Sequence, residues 1–150
     1  MFLPKTILHP TDFSDYSSHA LQFAGDLATK YGSRIIILHS VDTLGAASAT
    51  FGEIATQREP EGYRDRLRND LHQVHPDVGS GVSVDYLLVE GDPASAIVRI
   101  AVEQHCDLIV MGTHGHRGFE RLLMGSVAEQ VVRRASCGVL TVKGPARSDS

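Results

Sequence analysis

The stretch Asp107–Val127, DLIVMGTHGHRGFERLLMGSV, constrains this chain more than any other. Leu108-Ile109-Val110-Met111 is a short uninterrupted apolar run, the pattern of a strand covered on both faces. Gly112, Gly115 and Gly118 follow directly. Glycines at that spacing let the main chain take positive φ and let a bulky ligand approach it closely. Further on, Ser126 with Glu129 three residues later has the form of a capping box opening a helix. A strand that runs through a glycine-rich loop into a helix start offers backbone N–H groups suited to an anion, above all a phosphate. The competing reading is a long turn whose glycines serve tight geometry alone.

Few function classes survive the composition. The 150 residues, 42% of them hydrophobic, suit one domain over residues 1–150 with a flexible tail at 144–150. A formal charge of -4 and a pI near 6.0 provide no basic field, so nucleic acid is not expected as a partner. The N-terminal MFLPKTILHP lacks a cleavage signal, and no apolar run reaches the roughly 18 residues of a membrane span. Cys106 and Cys137 form no metal spacing and read as buried free thiols of a reducing compartment. A cytoplasmic protein without membrane attachment is the expectation.

Along the chain, strand and helix signals alternate. Thr6-Ile7-Leu8-His9 reads as a first strand stopped at Pro10-Thr11-Asp12. Ser14 caps a helix that Gly32 ends, and Arg34–Val41 is a β-branched second strand. Residues 42–60 read as a long loop. A charged second helix carries the stripe Tyr63, Leu67, Leu71 and Val74 and ends near His75-Pro76. Val82–Val89 is a third strand of edge type, and Asp92-Pro93 opens a third helix. After the glycine loop come a final helix with Arg133 and Arg134 near its end, and a fifth strand, Gly138–Val142.

Five strands alternating with four helices imply an α/β three-layer sandwich around a five-stranded parallel sheet with right-handed crossovers. Ligands of such sheets bind beyond the strand C-termini where strand order reverses. If the chain reverses after the third strand, Pro10-Thr11-Asp12 comes beside Gly112-Thr113-His114-Gly115, with Val41 across from them. A carboxylate facing a phosphate cradle suits a nucleotide, with Asp12 accepting from ribose hydroxyls or helping to hold a metal ion.

Gly112-x2-Gly115-x9-Gly125-Ser126 resembles the nucleotide motif of the universal stress protein family. Pro10-Thr11-Asp12-Phe13-Ser14, Gly91-Asp92-Pro93 and Ser126-Val127-Ala128-Glu129 leading to Cys137–Val142 match as well, so the likeness spans roughly residues 4 to 143. It implies a Rossmann-like fold of the adenine nucleotide alpha hydrolase type, strand order 3-2-1-4-5, and a nucleotide-responsive stress-response module rather than an efficient enzyme. It implies ATP, with Mg or Mn, held by Pro10, Thr11, Asp12, Val41, Met111, Gly112, Thr113, His114, Gly115, His116, Arg117, Gly118, Gly125, Ser126 and Val127. The metal would reach Asp12 through the nucleotide. A homodimer through the last strand, Val139 to Val142, is implied too. Two departures stand out, Gly138 where the family often has proline and His116 where arginine is frequent.

Other readings stay open. Asp12 also suits a turn-stabilising role beside the first helix. His114-x-His116 lacks a third metal ligand in sequence, and Arg117 and Arg121 suit phosphate or solvent equally. His9, His19, His39, His72, His75 and His105 read as structural or solvated. There is no P-loop, GxGxxG or GxSxG signature, and no catalytic residue is assigned. A slow metal-dependent ATPase, a nucleotide-free dimeric interaction module and a receiver-like phosphorylation domain are the alternatives.

Overall fold

A computed structural model describes residues 1–41, 61–114 and 124–144. The expected loop 42–60, the loop residues Gly115, His116, Arg117, Gly118 and Arg121, and nearly all of the tail lie outside the described residues.

In chain order the elements are β1 (Thr6–Pro10), α1 (Asp15–Tyr31), β2 (Arg34–Val41), α2 (Tyr63–His72), β3 (Val84–Glu90), α3 (Pro93–Glu103), β4 (Leu108–Gly112), α4 (Ser126–Arg134) and β5 (Gly138–Val142). The strands form one parallel sheet in the order β3-β2-β1-β4-β5. This is the expected three-layer α/β architecture, and β3 is indeed an edge strand.

Strand alternation explains why the apolar runs are continuous. Ile7, Ile35, Ile37 and Val110 turn to one face, where Ala20, Leu21, Ala24 and Ala28 of α1 and Leu71 of α2 cover them. Leu8, Ile36, Leu38, Ile109 and Met111 turn to the other, against Ile97, Ile100 and Ala101 of α3 and Ala128 and Val131 of α4. Successive residues serve opposite cores, so a polar residue at any of these positions would be buried.

Local signals set most ends. Ser14 accepts the Ser17 N–H, and Gly32 closes α1 in the left-handed region at φ 69°. Asp92 caps α3 through the Ser95 N–H, with Pro93 at its first position. His105, a non-glycine residue at φ 53°, ends α3, and the Cys106 N–H returns to Ala101 O.

Four expectations need correction. β1 stops at Pro10, within the expected Pro10-Thr11-Asp12 stop, whereas β3 begins at Val84 rather than Val82. Helix α2 stops at His72, short of His75-Pro76, and of its expected stripe only Leu71 is fully buried, because the helix covers little more than the β3 edge. Cys106 is buried but Cys137 is only half-buried; both are free thiols. The capping box is absent: Gly125 is the N-cap of α4, with no side-chain cap bond, and Ser126 lies inside the first turn. Its cause is tertiary. The Gly125 N–H donates to Thr113 O at 2.6 Å, which fixes the helix entry one residue early, and Glu129 pairs with Arg133 instead.

Candidate functional site

The strand order reverses between β1 and β4, and there the sheet opens. β1 stays paired with β2 as far as Pro10↔Leu38, and β4 stays paired with β5 as far as Gly112↔Val142. Between β1 and β4, however, pairing stops at Leu8↔Ile109. Two continuing half-sheets therefore part at a seam, the place where in open α/β sheets a crevice beyond the strand C-termini receives ligands.

The β1 wall is a turn held by its own side chains. Thr11 stays on the ladder through its N–H to Leu38 O, 2.8 Å. Its Oγ1 accepts the Phe13 N–H at 3.1 Å. Ser17 gives its hydroxyl proton to Ser14 O, so the 3.1 Å contact between Thr11 Oγ1 and Ser17 Oγ is donated by the threonine. Asp12 Oδ1 accepts both the N–H and the hydroxyl of Ser14, at 3.0 and 2.5 Å. The turn-stabilising reading of Asp12 is thus met by this oxygen. Phe13 occupies φ 64°, rare for a bulky residue, and its ring packs 4.5 Å from that of His39. His39 Nδ1 lies 2.8 Å from Thr11 O; a carbonyl only accepts, so the ring nitrogen carries the proton.

Across the seam, Met111 is buried in the core and Gly112 ends β4. A Cβ on Gly112 would sit 3.2 Å from Tyr16 O and 3.3 Å from His114 O, so this glycine serves close packing on the start of α1. Thr113 is buried and donates its N–H to Val142 O at 3.0 Å; its Oγ1 is 3.0 Å from His114 Nδ1. The His114 ring lies 5.8 Å from Tyr16, centroid to centroid. A Cβ on Gly125 would come within 3.1 Å of Thr113 O. Gly125 therefore acts as a close-approach residue whose N–H is already used. Helical geometry leaves the N–H groups of Ser126, Val127 and Ala128 without intrahelical acceptors, and no side chain at Gly125 caps them.

Val41 is buried at the end of β2, and its carbonyl accepts the Gly91 N–H at 3.0 Å. The structure thus gathers Pro10, Thr11, Asp12, Met111, Gly112, Thr113, His114, Gly125, Ser126 and Val127 around the seam, with Val41 one strand away. Among the described residues, no group of three or more His, Cys, Asp or Glu could hold a metal ion, and no helix is long and apolar enough to cross a membrane.

Of the histidines read as structural or solvated, His9 is structural. It is fully buried, with Nδ1 2.9 Å from Val110 O and no hydrogen-bond partner for Nε2 among the described residues. Burial pulls its pKa down from 6.5 to about 4, against the opposing influence of the Val110 carbonyl and Asp12. The available signal was its place immediately before a proline inside a strand.

The sequence profile of the universal stress protein family matches residues 4–143. The chain belongs to this family. It is 36% identical over 146 residues to universal stress protein MJ0531 of Methanocaldococcus jannaschii, covering 95% of this chain and 84% of that one. The solved structure of MJ0577, a universal stress protein of the same organism, shares 30% identity with a TM-score of 0.74, covering 99% of this chain and 100% of that one. A universal stress protein solved in complex with cAMP is 26% identical, with a TM-score of 0.67, over 96% of this chain and all (100%) of that one. The fold of this universal stress protein thus has solved counterparts.

Proposed function

We propose that this universal stress protein binds ATP in the β1/β4 crevice and works as a nucleotide-responsive dimeric regulatory module in the cytoplasm. One observation carries the reading. The α4 start presents main-chain donors with no side-chain cap bond among the described residues, across the seam from the Asp12 turn, at the place where the strand order reverses. Those donors and the positive end of the helix suit phosphate. In this reading Ser126 and Val127 meet the phosphates, together with Gly115, His116, Arg117 and Gly118. Asp12 meets the ribose, and Val41 lines the base side. A Mg or Mn ion arrives with the nucleotide. A relative solved with cAMP supports an adenine nucleotide in this family, and the two free thiols suit a reducing compartment.

Nucleotide occupancy stabilises the conformation that binds it, and partners read that difference. The dimer forms through β5, an edge strand with exposed Leu140. Mass spectrometry of small molecules released from the purified protein tests the nucleotide: ATP is expected, and its absence together with no calorimetric ATP binding refutes the reading. Gly115→Val should block phosphate approach and abolish binding; unchanged affinity would remove the loop from the site. Light scattering should give twice the chain mass, and Leu140→Lys should shift it toward monomer.

A further inference from the structure

The seam has a local cause in the sequence. Main-chain N–H and C=O groups of successive strand residues point alternately to the two neighbouring strands. Thr11 donates to β2 at Leu38 O, so residue 10 faces β4. With Leu8 paired to Ile109, the next rung of a regular parallel ladder would run from the N–H of residue 10 to the carbonyl of Val110. Residue 10 is proline and has no N–H. The ladder stops there, although β1 continues on β2 and β4 continues on β5.

The orphaned carbonyl is the one that His9 takes. Its Nδ1 lies 2.9 Å from Val110 O, and since a carbonyl only accepts, Nδ1 carries the proton. We propose that His9 is a positioning residue of the crevice: its ring replaces the ladder donor that Pro10 lacks and holds the β4 exit at a fixed spacing from the Asp12 turn. A direct N–H rung would zip the strands together, whereas a side-chain donor ties them while they diverge. Val110 is followed by Met111, Gly112 and Thr113, so the bond anchors the chain that feeds the loop and, through Thr113 O, the Gly125 entry to α4. Burial keeps the ring neutral, consistent with this tautomer. Of the two ring nitrogens only Nδ1 makes a bond among the described residues, so an asparagine, whose amide nitrogen reaches the Nδ1 position, is the decisive replacement. Strand spacing is independent of any ligand; its consequence for affinity rests on the nucleotide reading above.

The test compares His9→Asn with His9→Phe in the full chain, by hydrogen exchange and by ATP calorimetry. In the nucleotide-free protein, His9→Phe should speed amide exchange of residues 110 to 113 by about fivefold, the worth of one hydrogen bond, while His9→Asn keeps the wild-type rate. In a Pro10→Ala background, whose new N–H can take Val110 O, His9→Phe should no longer matter for exchange. Equal behaviour of the Asn and Phe variants, or an unchanged His9→Phe effect beside Ala at position 10, overturns the proposal. Should His9→Phe not fold, His9→Asn against His9→Ala gives the same contrast, and equal exchange again overturns it. ATP affinity should fall about fivefold in His9→Phe and stay at the wild-type value in His9→Asn. If wild type binds ATP and His9→Phe binds it equally well, the positioning role is wrong. If wild type binds no ATP, the nucleotide reading fails while the exchange result still decides the role of His9.

Discussion

Two helices begin on opposite sides of the crevice, and they begin differently. At α1, Ser14 caps the first turn, Asp12 braces Ser14, and Thr11 and Ser17 close the circuit. At α4, Gly125 contributes only backbone: its N–H goes to Thr113 O, its carbonyl accepts the Glu129 N–H, and among the described residues no side-chain cap bond closes the first turn. One start satisfies itself; in the nucleotide reading proposed above, the other is finished by phosphate. A helix N-terminus next to a ligand site is thus read better from its cap than from the glycines that precede it.

Acid should act most strongly on the seam between the two starts. His9 titrates at about 4 in the folded chain against 6.5 when unfolded. Between those values the unfolded chain binds more protons, so stability is full above about pH 6.5, falls as pH drops and levels off below about 4. The loss amounts to about 3 kcal/mol. Urea denaturation across this range should show it, and His9→Asn should remove that part of the slope. Next comes a direct attack on the contrast. Gly125→Asp gives α4 a carboxylate cap like that of α3, at a position where a Cβ would crowd Thr113 O. ATP affinity by calorimetry should drop by a factor of about thirty, on the order of 2 kcal/mol, because the cap takes the donors and repels phosphate. Ser14→Ala should cost about 1 kcal/mol in urea, the worth of an N-cap. Smallest is Ser126→Ala: lying inside the turn rather than capping it, this residue should cost less than about 0.5 kcal/mol. An equal loss in the two serine variants would erase the difference between the starts.

Much of the fold was legible because its signals are local. β2 and β5 lie where the β-branched runs place them, and Ser14, Gly32, Asp92 and Pro93 act at the ends they mark. The strand order followed from alternation and from the family likeness. What escaped depends on contacts remote in sequence. Ser126 and Glu129 satisfy the capping-box pattern, but Thr113 O sets the entry of α4. Tyr63 and Leu67 have helical spacing, yet an edge helix buries only Leu71. His9 looked like one histidine among eight. Its partner lies 101 residues away, and nothing within a few residues of it reveals that bond except the proline that follows.

That separation also fixes an order of events during synthesis. β1 is made first yet sits in the middle of the sheet, and its β2 side can pair early. Its other side waits for Val110, 101 residues later. At bacterial or eukaryotic ribosome speeds that is roughly 5 to 20 seconds of exposed central-strand edge. During this interval Pro10 and the inward histidine blunt the end of that edge, and the crevice is among the last features of the protein to come into being.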